Sequence, residues 1–125
     1  MKLLFDTSAW LAIFFNQDTG KAEQLLQKNP GEILTTAANL YEIYYKAAGK
    51  NGTDKAVISV SSVKNYSKIL DVTEEIALEA AKLRLSHGVK AIDAFTLAAS
   101  RLNNAKLVTA DHDFDAFKNE TVFLD

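Results

Sequence analysis

Five carboxylates occupy positions that ordinary surface roles explain poorly: Asp6, Glu42, Asp93, Asp111 and Asp113. Asp6 directly follows the apolar run Leu3, Leu4, Phe5. Asp93 interrupts residues 90–100, a segment so apolar on most faces that its helix should be largely buried, where a lone carboxylate is costly. Glu42 is flanked by Tyr41 and Ile43, although it also stands four residues before Lys46, the spacing of a plain helix-surface ion pair. Asp111, Asp113 and Asp115 form a D-x-D-x-D run in which Asp115 suits a capping role, and the lesser alternative for Asp93 is an exposed acid near a helix start. If the five acids converge, each pair at 4 Å repels by about 4 kcal/mol at an effective dielectric near 20, so the cluster requires cations. All-oxygen ligation selects Mg²⁺ or Mn²⁺, and two such ions can activate a water and stabilise the leaving oxygen of a phosphodiester. Setting these five aside leaves 14 basic against 11 acidic side chains, so the remaining surface can accept a polyanion.

Other chemistries lack their residues. Glycines 20, 31, 49, 52 and 88 form neither a P-loop nor a G-x-G-x-x-G; there is no G-x-S-x-G and no H-E-x-x-H. With no Cys, thiolate metal sites, Cys nucleophiles and disulfides are excluded, and a reducing, cytoplasmic setting is expected. An EF-hand fails because Ala116 stands where its sixth-position Gly is needed. His87 reads as a helix C-terminal residue and His112 as an exposed loop residue. The longest apolar run, residues 9–15, is far short of a membrane span, and Asp6 would interrupt any secretory leader, so neither is expected. A net charge of -2 and a pI near 5.7 argue against holding nucleic acid by bulk charge.

The 125 residues, 48% hydrophobic, suffice for one domain with its own core, expected over residues 1–125. Strands are expected at 2–5, 32–35, 69–72, 106–109 and 122–124. Helices are expected between them: through Phe15 with Thr7 or Ser8 as cap, from Asp18 or Thr19 to Lys28, from Thr36 to Ala48 before a break at Gly49 and Gly52, over 53–68, from Thr73 to His87 with Gly88 as stop, and over 90–103. A short helical turn follows Asp111. Four to five short strands alternating with helices indicate a central parallel sheet covered on both faces. Ligands bind such sheets beyond the strand carboxyl ends where strand order reverses. In the order 3-2-1-4-5, Asp6 and Asp111 would face one crevice.

The ordered set Leu3-Leu4-Phe5-Asp6-Thr7-Ser8, Glu42 in a helix, Asp93-Ala94 in a helix, and residues 107–114 with Asp111 and Asp113 resembles PIN-domain ribonucleases, especially VapC-type toxins of toxin-antitoxin pairs. The resemblance spans nearly the whole chain. It implies a PIN-like three-layer α/β sandwich and a Mg²⁺- or Mn²⁺-dependent endoribonuclease. It implies Asp6, Glu42, Asp93 and Asp111 as catalytic metal-binding acids and Asp113 as a fifth ligand or a supporting acid, with Thr7 or Ser8 and Thr109 orienting them. The implied partners are an RNA substrate, a small antitoxin and a second copy of the chain. A non-catalytic PIN-like module binding RNA or protein is the alternative. An aspartyl-phosphate enzyme would also use an acid after the first strand, but a phosphatase of that kind carries Asp-x-Asp where Ser8 fills the third position.

Two surfaces follow from the same reading. Residues 9–15 with Tyr41, Tyr44 and Tyr45 offer apolar area for core or for a protein interface. Lys46, Lys50 and Lys55 offer either solvated surface or a phosphate track.

Overall fold

The computed structural model describes residues 1–17 and 19–125. Its elements run β1 (Leu3–Phe5), α1 (Thr7–Phe14), α2 (Lys21–Lys28), β2 (Ile33–Thr36), α3 (Ala37–Asn51), α4 (Thr53–Tyr66), β3 (Lys68–Leu70), α5 (Glu74–His87), α6 (Ala91–Leu102), β4 (Lys106–Thr109), a 3-10 helix (His112–Glu120) and β5 (Thr121–Phe123). All strand pairs are parallel and the order is β3-β2-β1-β4-β5, as expected. Among the described residues no helix is long and apolar enough to cross a membrane.

Alternation along the strands sorts side chains into two layers of core. Leu4, Leu34 and Leu107 pack against Ile76, Ala80 and Leu83 of α5 and Leu97 and Ala98 of α6. Leu3, Phe5, Ile33 and Val108 point the other way, onto Ala9 and Trp10 of α1, Ile43 of α3 and Val63 of α4. The sheet is therefore sandwiched between helices on both faces. Since β1 is hydrogen-bonded to β2 on one side and β4 on the other, the direction of chain progression reverses between β1 and β4. Their carboxyl ends open the crevice in which Asp6 and Asp111 lie.

Three helix boundaries differ from expectation. Asp6, not Thr7 or Ser8, caps α1: its Oδ1 accepts the Ala9 N–H at 2.9 Å, while Thr7 already lies inside the helix. Helix α2 starts at Lys21 behind Gly20 at φ 85°, so Thr19 is not its cap; Asp18 lies outside the described residues. Gly49 does not break the chain, because α3 continues to Asn51. A Gly inside a helix costs only about 1 kcal/mol, and Gly49 lies in the last turn of α3, which packs against α4. The turn occurs at Gly52, whose φ of 87° is open to glycine at no steric cost. The ambiguous stretch after it is helical, with Ala56, Ser59 and Val63 forming its buried face.

The expected apolar surface divides. Ala9, Trp10 and Ala12 are core, with Trp10 tilted against Phe5 at 5.1 Å. Tyr41 and Tyr45 are 64% and 70% exposed and stack on one another at 6.4 Å, lining with Tyr44 an open groove of about 710 Å³.

Candidate metal centre

A pocket of about 330 Å³ lies at the carboxyl ends of β1 and β4, and all five acids singled out in the sequence line it: Asp6, Glu42, Asp93, Asp111 and Asp113. The five reach it from four different parts of the fold. Asp6 ends β1 and begins α1, Glu42 projects from the second turn of α3, Asp93 from the first turn of α6, and Asp111 with Asp113 from the start of the 3-10 helix. Carboxylate oxygens of Asp93, Asp111 and Asp113 lie within 4.8 Å of one another, Asp93 and Asp111 half-buried and Asp113 exposed. Asp6 and Glu42 stand in the pocket wall outside this tight trio.

Asp6 is the most deeply placed, 4% exposed. Its Oδ1 accepts from the Ser8 hydroxyl at 2.7 Å and from the Ala9 N–H, and its Oδ2 accepts from the Thr109 hydroxyl. These bonds use three of about four lone-pair sites on a carboxylate and leave one for the pocket. Burial pushes the Asp6 carboxyl from 3.8 up to about 6, against the pull of its three donors, and the Asp111 charge adds to the rise. Asp93 is likewise pushed up to about 6, first by burial and then by the charges of Asp111, Asp6, Glu42 and Asp113. Behind burial, repulsion from four other acids reaches this one side chain, which is consistent with a cation-binding cluster.

Ser8 and Thr109 both serve the cluster. Besides holding Asp6, the Ser8 hydroxyl accepts the Ala110 N–H at 2.9 Å and the Thr109 hydroxyl accepts the Asp111 N–H at 2.9 Å. Asp111 Oδ1 in turn accepts the Asp113 N–H at 2.8 Å, which begins the 3-10 helix and sets the two acids side by side. Thr7 also lines the pocket, but its hydroxyl accepts from Asn39 Nδ2 at 3.1 Å rather than bonding an acid.

Asn39 is the residue that sequence reasoning missed. Fully buried, it accepts from the Thr36 hydroxyl at 2.7 Å and donates to Thr7 and, at 3.2 Å, to Thr96. It therefore ties the end of β2, the start of α1 and the middle of α6 together. Glu42 lies one turn beyond Asn39 on α3, and Thr96 one turn beyond Asp93 on α6, so this junction fixes how two acid-bearing helices approach. The available signal was Thr36-x-x-Asn39, a reciprocal cap in which Asn39 also accepts the Thr36 N–H.

The plainer readings hold alongside. Glu42 does pair with Lys46, at 3.9 Å, while lining the pocket. Asp115 bonds Nδ1 of His112 at 2.9 Å and Asp125 bonds its Nε2 at 3.0 Å. His112 also stacks on Phe123 at 5.2 Å, so it is a fastened surface residue rather than a loose one. His87 ends α5 and lies against Phe117. Lys50 and Lys55 sit over the Phe15 ring at 4.5 and 5.4 Å and, unlike Lys46, do not line the acid pocket.

Hard oxygen donors within 4.8 Å of one another fit a small divalent cation. Comparison with protein families matches residues 3–120 to the PIN domain. No curated protein matched the chain. Among solved structures, a toxin-antitoxin complex from Klebsiella pneumoniae superposes with a TM-score of 0.78 at 23% identity, covering 99% of this chain and 98% of that one. VapC20 of Mycobacterium tuberculosis, a toxin described as cleaving the sarcin-ricin loop, gives 0.78 at 21% identity, over 93% and 95%. DNA-bound VapBC from Salmonella typhimurium gives 0.78 at 16%, over 92% and 91%.

Proposed function

The chain belongs to the PIN-domain family, and from that premise we propose that it is a Mg²⁺- or Mn²⁺-dependent endoribonuclease and the toxin of a toxin-antitoxin pair. The observation that carries this is the convergence of five acids from four separate parts of the fold in one pocket. Asp93, Asp111 and Asp113 would hold the cation, with Glu42 and the remaining lone pair of Asp6 completing the oxygen set. When bound, such a cation supplies activation of a water for in-line attack on phosphorus and stabilisation of the departing 3'-oxygen. The chain's own part is preorganisation. Ser8 and Thr109 hold Asp6 in one rotamer, Asp111 Oδ1 fixes the backbone of Asp113, and Asn39 holds α3 against α6. Geometry fixed before the reaction costs no reorganisation during it.

The toxin reading draws on the likeness to toxin-antitoxin complexes. In it, the exposed Tyr41, Tyr44 and Tyr45 groove is the surface for an antitoxin or a second copy of the chain.

The test is cleavage of single-stranded RNA by the purified protein with Mg²⁺ or Mn²⁺, with EDTA, and by Asp93→Asn. Cleavage that EDTA and the variant both abolish is expected. Cation-dependent RNA binding without cleavage would instead identify a binding module. Expression of the wild type, but not of Asp93→Asn, should arrest growth of a bacterial host.

A further inference from the structure

The acid pocket shares lining residues with two flanking cavities, and through Lys46 it also borders the tyrosine groove. On one side it meets an open groove of about 900 Å³, with which it shares Ser8 and Lys46. On the other it meets a groove of about 330 Å³, with which it shares Lys90, Asp93 and Asp113. A lysine thus stands at each joint. Among the described residues these two are the only lysines or arginines that line any of the three cavities. Lys46 is half-exposed and pairs with Glu42 at 3.9 Å.

Five acids repel a polyanion, so phosphates can approach only where cations offset them. One lysine on each side of the acids matches a strand whose reacting phosphate lies over the acids and whose neighbouring phosphates lie at the joints. A duplex would need a broad basic face, which a chain of net charge -2 with Lys50 and Lys55 packed over Phe15 does not offer here. The larger groove presents the part-exposed Leu11 and the exposed carboxamides of Asn16 and Gln17 over a floor in which Ala12 and Leu124 are buried, with Asp125 at its rim, a lining that suits the polar edge of an unstacked base and keeps phosphate away from the rim.

Building on the nuclease reading and the single-stranded RNA substrate that goes with it, we propose that the strand runs through the three cavities on contacts from Lys46 and Lys90. Lys46 and Lys90 each hold a phosphate flanking the one over the acids, and the groove beside Lys46 takes a neighbouring base, with Gln17 at its edge. Both lysines are positioning residues.

The experiment measures steady-state cleavage of a short single-stranded oligoribonucleotide, and its salt dependence, for wild type, Lys46→Gln, Lys90→Gln, the double variant, Lys46→Arg, and Lys64→Gln as an exposed control. Each glutamine variant should raise KM about tenfold with kcat within about twofold, and the double variant should flatten the slope of log affinity against log salt by about 1.4, near 0.7 per lost phosphate contact. Lys46→Arg should restore wild-type KM, Lys64→Gln should match wild type, and Gln17→Ala should change base preference beside the cut. Cleavage by wild type with unchanged KM and salt slope in the double variant overturns the threading path and leaves the nuclease reading intact. If wild type does not cleave, the nuclease reading fails. Mn²⁺-supported binding of the same oligonucleotide then decides the path: weaker binding by the double variant supports it and equal binding overturns it.

Discussion

The Thr109 hydroxyl donates to Oδ2 of Asp6 across 103 residues of chain, joining the carboxyl end of β4 to that of β1. The same oxygen accepts the Asp111 N–H, so one side chain orients two acids. Thr109→Val keeps the shape and removes both bonds. Loss of about 1–3 kcal/mol of stability is expected, since buried partners are left unpaired. RNA cleavage should fall with it, and Thr109→Ser should restore both. Urea unfolding run beside the cleavage assay checks this, and a Val variant with wild-type stability would remove Thr109 from the role.

Asp6→Asn should make the cation-free protein more stable. A carboxyl raised from 3.8 to about 6 reflects about 3 kcal/mol of penalty on its charged form, which the amide escapes. The amide oxygen can still accept the Ser8 and Ala9 bonds, and the Thr109 hydroxyl can turn to accept from the new NH₂. In wild type, Mn²⁺ at a hundredfold excess over Kd should add about 2.7 kcal/mol, and the variant should lose most of that gain. Thermal melts with EDTA and with Mn²⁺ give both numbers, and an actively cleaving variant would refute the assignment of Asp6.

Without divalent cations, stability should decline as pH rises from about 4 to just above 6. Asp6 and Asp93 both have folded-state values raised to about 6, so the folded chain binds more protons than the unfolded one through that window. Their contribution is fully present below the unfolded value and is lost as pH passes the folded one. The raised His112 adds a change of the same sign at higher pH, muted by its exposure. Adding Mn²⁺ should stabilise most at pH 7 and least at pH 5, because protons compete for the same oxygens. Denaturant midpoints across pH, with and without the ion, measure it; a flat profile in EDTA would contradict the clustering.

Asn39→Ala should cost about 3 kcal/mol, because it strands Thr7, Thr36 and Thr96 around a small buried gap. Cleavage should drop although Asn39 lines no part of the acid pocket. Circular dichroism melts and kcat measured well below the new Tm separate the two effects. An Ala variant as active and as stable as wild type would show that the junction does not set the helix approach.

The sheet was legible in the sequence because its strands are short apolar runs broken by punctuating residues: Asp6 stops the first, and Lys106 to Thr109 was bounded correctly at both ends. The strand order 3-2-1-4-5 entered as the arrangement under which Asp6 and Asp111 would share a crevice, and the sheet has that order. Helix starts were less legible. An Asp that ends a strand and caps a helix serves two elements at once, and reading Asp6 only as a crevice acid passed the cap to Thr7 or Ser8. Glu42 illustrates another limit: pairing with Lys46 and lining the pocket are compatible, whereas sequence spacing presents them as rivals. The Asn39 junction was illegible because its partners Thr7 and Thr96 are 32 and 57 residues away and carry no local pattern.

The junction of Asn39 with Thr7, Thr36 and Thr96 contains no carboxylate. Scaffold and charge are therefore held by separate sets of side chains. Neutralising Glu42, Asp93 or Asp113 leaves the junction whole, so inactive forms of this chain should be as easy to produce as its native form, or easier. For a protein proposed to harm the cell that makes it, that separation provides a stable decoy: a chain that keeps its surface and can be used to capture whatever docks on it.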